Sequence, residues 1–79
     1  MVNSVNKAFG ELVKALRKEK KWSQVKLSKT SKLHINTVYL IESGMNDPRM
    51  STFLLIAKGL KMDSVTLMKQ LIIRLQKTK

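Results

Sequence analysis

The stretch from Gln24 to Gly44 constrains this chain most. It reads as two short helices with almost no room between them. Ser23 is placed to cap the first, because its hydroxyl can accept an amide proton that the helix leaves unpaired. Leu27 and Ser31 lie four residues apart and so share one face of that helix. In the second segment Val38 and Ile41 lie three apart and turn inward together. At about 100° per residue, the opposite face carries Asn36, Tyr39, Leu40 and Ser43. A helix with a narrow apolar seam and a protruding polar-aromatic face is built to be presented to something. The corner between the helices, Lys32-Leu33-His34, is too short for anything but a steep turn.

Two helices at a steep angle across such a turn form a helix-turn-helix, whose second helix enters the DNA major groove. At these residues the chain resembles the Cro and lambda-repressor (XRE-type) family of helix-turn-helix regulators. The resemblance rests on Trp22-Ser23-Gln24-x-x-Leu27-Ser28, then Leu33, Val38, Ile41-Glu42-x-Gly44 and Pro48. It extends upstream to Leu16-Arg17, downstream to Ile56-Ala57-x-Gly59-Leu60, and covers roughly Phe9 to Leu67. It departs from the family at Ser28, where Ala is usual, and at Lys32, where Gly is usual. Ser28 can bond back to a helix carbonyl. Lys32 in a left-handed corner costs about 1 kcal/mol relative to Gly.

Seventy-nine residues bound the answer to one small domain, residues 1–79, whose core is marginal alone and gains from dimerisation. The expected class is all-α, a five-helix lambda-repressor-like fold. Met1 to Ser4 reads as a frayed polar lead. Helix 1 then places Val5, Phe9, Leu12, Val13 and Leu16 inward and Lys7, Lys14 and Lys18 outward. Gly10 is a weak point in it, worth about 1 kcal/mol against Ala. Trp22 is expected to plug the junction between helices 1 and 2. Gly44 to Arg49 is a loop by composition, with Gly44 suited to a left-handed helix end. Helix 4 is expected over Ser51–Leu60, capped by Ser51, with Phe53, Leu54, Ile56, Ala57 and Leu60 facing the core. Helix 5 follows over 64–76, capped by Asp63 or Ser64. It is apolar on more than one face. Leu67, Met68 and Leu71 can complete the core, while Ile72 and Leu75 in particular are left in water, which marks an interface. The dimer interface is therefore assigned to Met68, Ile72, Ile73 and Leu75.

Charge narrows the partner. The chain has 16 Lys and Arg against 5 Asp and Glu, a net charge of +11, and such a surplus on a small domain points to a polyanion. Base readout is assigned to Ile35, Asn36, Tyr39 and Leu40: Asn can read adenine bidentately, and Ile or Leu can pack on thymine methyls. Backbone contacts are assigned to Ser23, Gln24, His34, Thr37, Ser43, Asn46 and Arg49. The Lys18-Glu19-Lys20-Lys21 run and the Lys26, Lys29, Lys32 stripe either touch phosphate or form a solvated face. The resemblance implies that Arg17 and Glu42 make a structural ion pair between helix 1 and the end of helix 3.

Other chemistries are disfavoured. With no Cys there is no disulfide framework or thiolate metal site, which fits a reducing cytoplasm. One His and five scattered acids make no metal site, triad or acid–base pair, so neither an enzyme nor a cofactor is expected. No run is long and apolar enough for a membrane span, no secretory signal is read, and no small-molecule ligand is evident. The expected function is a sequence-specific DNA-binding transcriptional regulator, a homodimer on an inverted-repeat operator. Compact members of the resembling family include phage-type repressors and the autoregulatory controller proteins of restriction–modification systems. Short length and an extra C-terminal helix lean toward the latter. The alternative is an antitoxin or adaptor module that holds a partner protein through helix 5.

Overall fold

The computed structural model describes residues 4–77. Five α-helices account for most of them: α1 Ser4–Glu19, α2 Gln24–Ser31, α3 Ile35–Glu42, α4 Met50–Gly59 and α5 Ser64–Lys77. The polar lead is therefore shorter than its sequence suggests. Ser4 already belongs to α1, and Met1–Asn3 lie outside the described residues.

The core is one cluster fed by every helix. Phe9, Leu12 and Val13 of α1, Leu27 of α2, Val38 and Ile41 of α3, Phe53, Ile56 and Ala57 of α4, Leu60 just after it, and Leu67 and Leu71 of α5 are all buried. The Phe9 and Phe53 rings meet at 5.5 Å between centroids, tilted by 36°. Two residues expected in this core are not there. Val5 is 43% exposed and Leu54 53%. Val5 sits in the first turn of α1, at the rim of the core, where it borders Phe9 and Phe53 without being covered. Leu54 follows Phe53 and so turns about 100° away from the side that α4 buries.

Helix starts follow local chemistry. Ser23 Oγ accepts the Lys26 amide at 3.1 Å. The Val65 amide donates to Asp63 Oδ1 at 2.7 Å, so Asp63 caps α5. Ser51 does not cap α4: the helix begins one residue earlier, and Arg49 stands at its N-cap without a side-chain bond. The helix ends share a device. Lys21, Lys32 and Lys61 adopt left-handed backbone at φ 60°, 60° and 59°, and Gly44 at 78°. After α1, α3 and α4, paired return bonds close the end, as with the Gly44 amide to Ile41 O and the Met45 amide to Leu40 O, both 3.1 Å. Lysine in this conformation is strained relative to glycine, while its charge suits the negative end of the helix dipole.

Two close approaches set the angles between helices. A Cβ on Gly10 would stand 2.3 Å from the Ile41 carbonyl oxygen of α3. The residue that weakens α1 in isolation is thus what lets α3 lie against it. A Cβ on Gly59 would stand 2.6 Å from Ser31 Cβ, so α4 is equally tight against the end of α2.

Candidate nucleic-acid interface

The α2–α3 unit turns on Lys32, the left-handed residue expected at the corner. Ser28 stabilises that corner differently from the expectation. Its hydroxyl donates forward to Leu33 O at 2.8 Å, across the turn, and not back to a carbonyl of its own helix. Ser31, fully buried, donates to Leu27 O at 2.7 Å, which satisfies its hydroxyl inside the core. His34 is the N-cap of α3, its Nδ1 accepting the Asn36 amide at 3.0 Å. The exposed ring is thereby held at the start of α3 through Nδ1, which leaves Nε2 out of that bond.

Val38 and Ile41 anchor α3 in the core. Ile35, Asn36 and Tyr39 project from it, with Tyr39 56% exposed, while Thr37 and Leu40 are half-buried at the edges of that face. Ser43 is exposed and its hydroxyl donates to Leu40 O at 2.9 Å. Asn46 is half-buried and Arg49 exposed in the loop that leads to α4. The helix carries no Lys or Arg. Its outward face is polar, aromatic and uncharged, and the cations lie on the elements beside it.

What holds α3 in place is a buried ion pair. Arg17 Nε donates to Glu42 Oε2 at 2.7 Å and Nη2 to Oε1 at 3.0 Å, with the two side chains only 9% and 3% exposed. The Glu42 hydrogen bonds raise the Arg17 pKa above its ordinary value, against the partial desolvation that lowers it. Two further bonds widen the pair into a network. Arg17 Nη1 donates to Trp22 O at 2.7 Å, and Gln24 Nε2 donates to Glu42 Oε1 at 3.0 Å. The Gln24 role was not visible in sequence. Its amide is engaged with Glu42, which leaves its second N–H for an outside acceptor. Nothing in the spacing of Gln24 and Glu42 signals this bond, which depends on how α2 crosses the end of α3.

Trp22 is half-buried at the α1–α2 junction, as a plug with one side open. Over its ring stand the ammonium groups of Lys20 at 5.3 Å and Lys26 at 5.6 Å. On α5, Met68 and Leu75 are half-buried against the core, so Leu75 is less exposed than its position near the helix end suggests. Ile72 and Ile73 are 46% and 50% exposed. They face different ways. Ile73 lies with Leu12, Gln70, Arg74 and Lys77. Met68 lies in a shallow apolar depression with Val5, Pro48, Met50 and Phe53, and Ile72 follows one turn later on its side of the helix. Among the described residues no group of three or more His, Cys, Asp or Glu is placed to hold a metal ion, and no helix is long and apolar enough to cross a membrane.

A fold organised around α2, a tight corner and an outward α3 defines a DNA-binding type of protein, and the sequence itself matches that family over residues 13–67: the chain belongs to the helix-turn-helix family. The whole chain also superposes on solved structures of the restriction–modification controller protein C.Esp1396I. A single-residue variant of that protein gives a TM-score of 0.92 at 25% identity, covering 100% of both chains. Its tetramer in complex with a natural 35-base-pair operator gives 0.86 at 25% identity, covering 91% of this chain and 95% of that one. Its complex with a 19-base-pair duplex gives 0.85 at 25% identity, covering 92% and 97%. No curated protein sequence matches the chain.

Proposed function

We propose that this protein is a sequence-specific DNA-binding transcriptional regulator that acts as a homodimer on an inverted-repeat operator, of the restriction–modification controller type, and that it works in the cytoplasm. The observation that carries the reading is α3 itself. Asn36 and Tyr39 stand clear of the surface on a helix whose other side is locked by Val38, Ile41 and the Arg17–Glu42 pair. Binding of operator DNA by the similar controller protein supports it, as does the net charge of +11.

Mechanistically, Asn36 offers a bidentate amide to adenine, and Ile35 and Leu40 offer apolar contacts to thymine methyls, with Tyr39 able to do either. His34 through Nε2, Ser23, Thr37, Ser43, Asn46 and Arg49, with the second Gln24 N–H, set register on phosphates, which positions without specifying. The dimer forms through α5. Met68 lines an apolar depression with Met50, exposed Val65 and Ile72 follow on its side of α5 at helical spacing, half-buried Leu75 lies at the helix end, and Ile73 faces away from them. Tetramer formation by the similar protein on its operator supports self-association. A two-fold axis through α5 presents two α3 helices to one face of the duplex, about one helical turn or roughly 34 Å apart. The same requirement makes the operator an inverted repeat.

The test is a mobility shift with DNA from upstream of the gene, against random competitor, together with sedimentation at micromolar concentration. A specific shift on an inverted repeat by a sedimenting dimer is expected. Equal affinity for operator and random DNA would remove the sequence-specific reading, and a monomer would remove the dimer.

A further inference from the structure

The recognition helix carries no cation and ends on the buried Glu42, so the charge that brings this protein to DNA must act from beside it. The densest group of cations next to the start of α2 is Lys18, Lys20, Lys21 and Lys26, and two of these are organised. Lys20 and Lys26 approach one indole, Trp22, from either side in sequence, with their ammonium groups at 5.3 and 5.6 Å from the ring. A cation over an indole face is held by the ring quadrupole. Bringing two cations to the same ring also brings them toward each other, which is unfavourable without an anion between or beside them. Among the described residues the ion pairs are Arg17–Glu42 and Glu11–Arg74, and neither lysine takes part in them. The first turn of α2 contains no acid.

The platform is also tied to the reading head. The Trp22 carbonyl accepts Arg17 Nη1 at 2.7 Å, and the same guanidinium grips Glu42 at the end of α3. Trp22 is followed directly by Ser23 and Gln24, and Gln24 also binds Glu42. The backbone that carries the indole is therefore tied to α3, and the two ammonium groups stand over that ring.

We propose that Lys20 and Lys26, held on Trp22, form a phosphate clamp that grips the DNA backbone beside the groove entered by α3, and that Trp22 is a positioning residue for it. The proposal rests on the DNA-binding reading above. It assigns the ligand as phosphodiester oxygens, taken by two point charges without regard to sequence. It also explains why a residue that plugs a helix junction is left half-open: the ring must bury one side and offer the other.

The test compares two double variants that remove the same charge. Lys20→Gln with Lys26→Gln removes the clamp. Lys58→Gln with Lys61→Gln removes two lysines from the end of α4, which packs on Ser31 at the far end of α2 from Trp22. For each, the dependence of log affinity on log salt is measured on operator and on random DNA. The slope falls by about 0.9 for each phosphate that is no longer neutralised. Two phosphates gripped by each protomer of a dimer therefore lower it by roughly 3.6 in the first variant, equally on both DNAs, and by little in the second. Trp22→Leu, which keeps the junction filled and the charge unchanged, weakens binding several-fold, and Trp22→Phe, which keeps a ring, restores most of it. The indole, being the only one in the chain, changes its fluorescence when operator binds. Equal slopes for the two double variants, with the wild type binding operator normally, overturn the clamp and leave the DNA-binding reading intact. Absence of binding to any DNA by the wild type overturns both.

Discussion

Glu42→Ala is the most informative single change. It removes a carboxylate that accepts from Arg17 at 2.7 and 3.0 Å and from Gln24 at 3.0 Å. The guanidinium left behind has an almost fully buried side chain and keeps only the Trp22 carbonyl. Removing one side of a buried ion pair costs about 3–5 kcal/mol, most of it from the charge left unpaired. A folded chain of 79 residues has about 4–12 kcal/mol of stability in total, so the variant sits near the unfolding threshold. In a domain of this size each kcal/mol moves Tm by about 4–8 °C, which makes the expected drop at least about 12 °C. Glu42→Gln keeps the shape and one acceptor, and so falls between the variant and the wild type. Replacing both partners, Arg17→Met with Glu42→Leu, is expected to recover much of the loss, because the desolvation of the pair offsets much of its attraction. Urea unfolding followed by circular dichroism gives the stability of each variant. A loss under about 0.5 kcal/mol for Glu42→Ala, the size expected of an exposed pair, would refute a buried structural role.

Asn36→Ala is expected to cost about 1–3 kcal/mol at the preferred site and little on random DNA, read by competition mobility shift; equal losses on both would exclude a base contact. Gly10→Ala should destabilise by about 1–3 kcal/mol despite the better helix propensity of Ala, because the new methyl meets the Ile41 carbonyl at 2.3 Å; a stabilised variant in urea would show that α1 and α3 can part freely. Lys61→Gly should raise stability by up to about 1 kcal/mol, since its φ of 59° is one that glycine adopts without strain; no gain would mean that the lysine charge at the end of α4 outweighs the backbone strain. Ile72→Glu should give a monomer in sedimentation that binds a full operator far more weakly, and a dimer of unchanged strength would move the interface off α5.

The fold was legible because its constraints are local and repeated. The spacing of Leu27, Ser31, Val38 and Ile41 fixes two short helices and their inner faces, and the structure buries all four. The ends were less legible. Ser51 looks like a better cap than Arg49, yet α4 starts at Met50 without a side-chain cap. Its start is set by where Phe53 and Ile56 must reach the core, and tertiary packing overrides a cap worth about 1 kcal/mol. Val5 and Leu54 were misplaced for a related reason. A helical period assigns apolar residues to a face, but it does not say how far along the helix its neighbours extend or how wide the buried stripe is. Gly10 shows the reverse case, where the local preference against glycine in a helix is correct and irrelevant, because the approach of α3 decides the residue.

The site divides along the same line. The outward residues of α3 follow from a period of 3.6, and the Arg17–Glu42 pair from resemblance to a family. The bonds that join them to α2, through Gln24 and the Trp22 carbonyl, arise only when three helices meet, and no single-helix pattern carries them. Glu42 is the point where they converge. It is the one buried acid among the described residues, in a chain with a large excess of cations, and its two oxygens tie α1, α2 and α3 together. This arrangement separates two requirements that compete in a DNA-binding domain. Affinity needs many cations at the surface, which repel one another and favour expansion. Discrimination needs a recognition helix held in one orientation, since base edges are read by short hydrogen bonds. Placing one carboxylate in the interior, where it is least screened by salt, is expected to hold α3 in place under the same high-salt conditions that weaken phosphate contacts. The orientation of α3 is therefore expected to persist as affinity falls, so that raising salt lowers binding to operator and random DNA while preserving the preference between them.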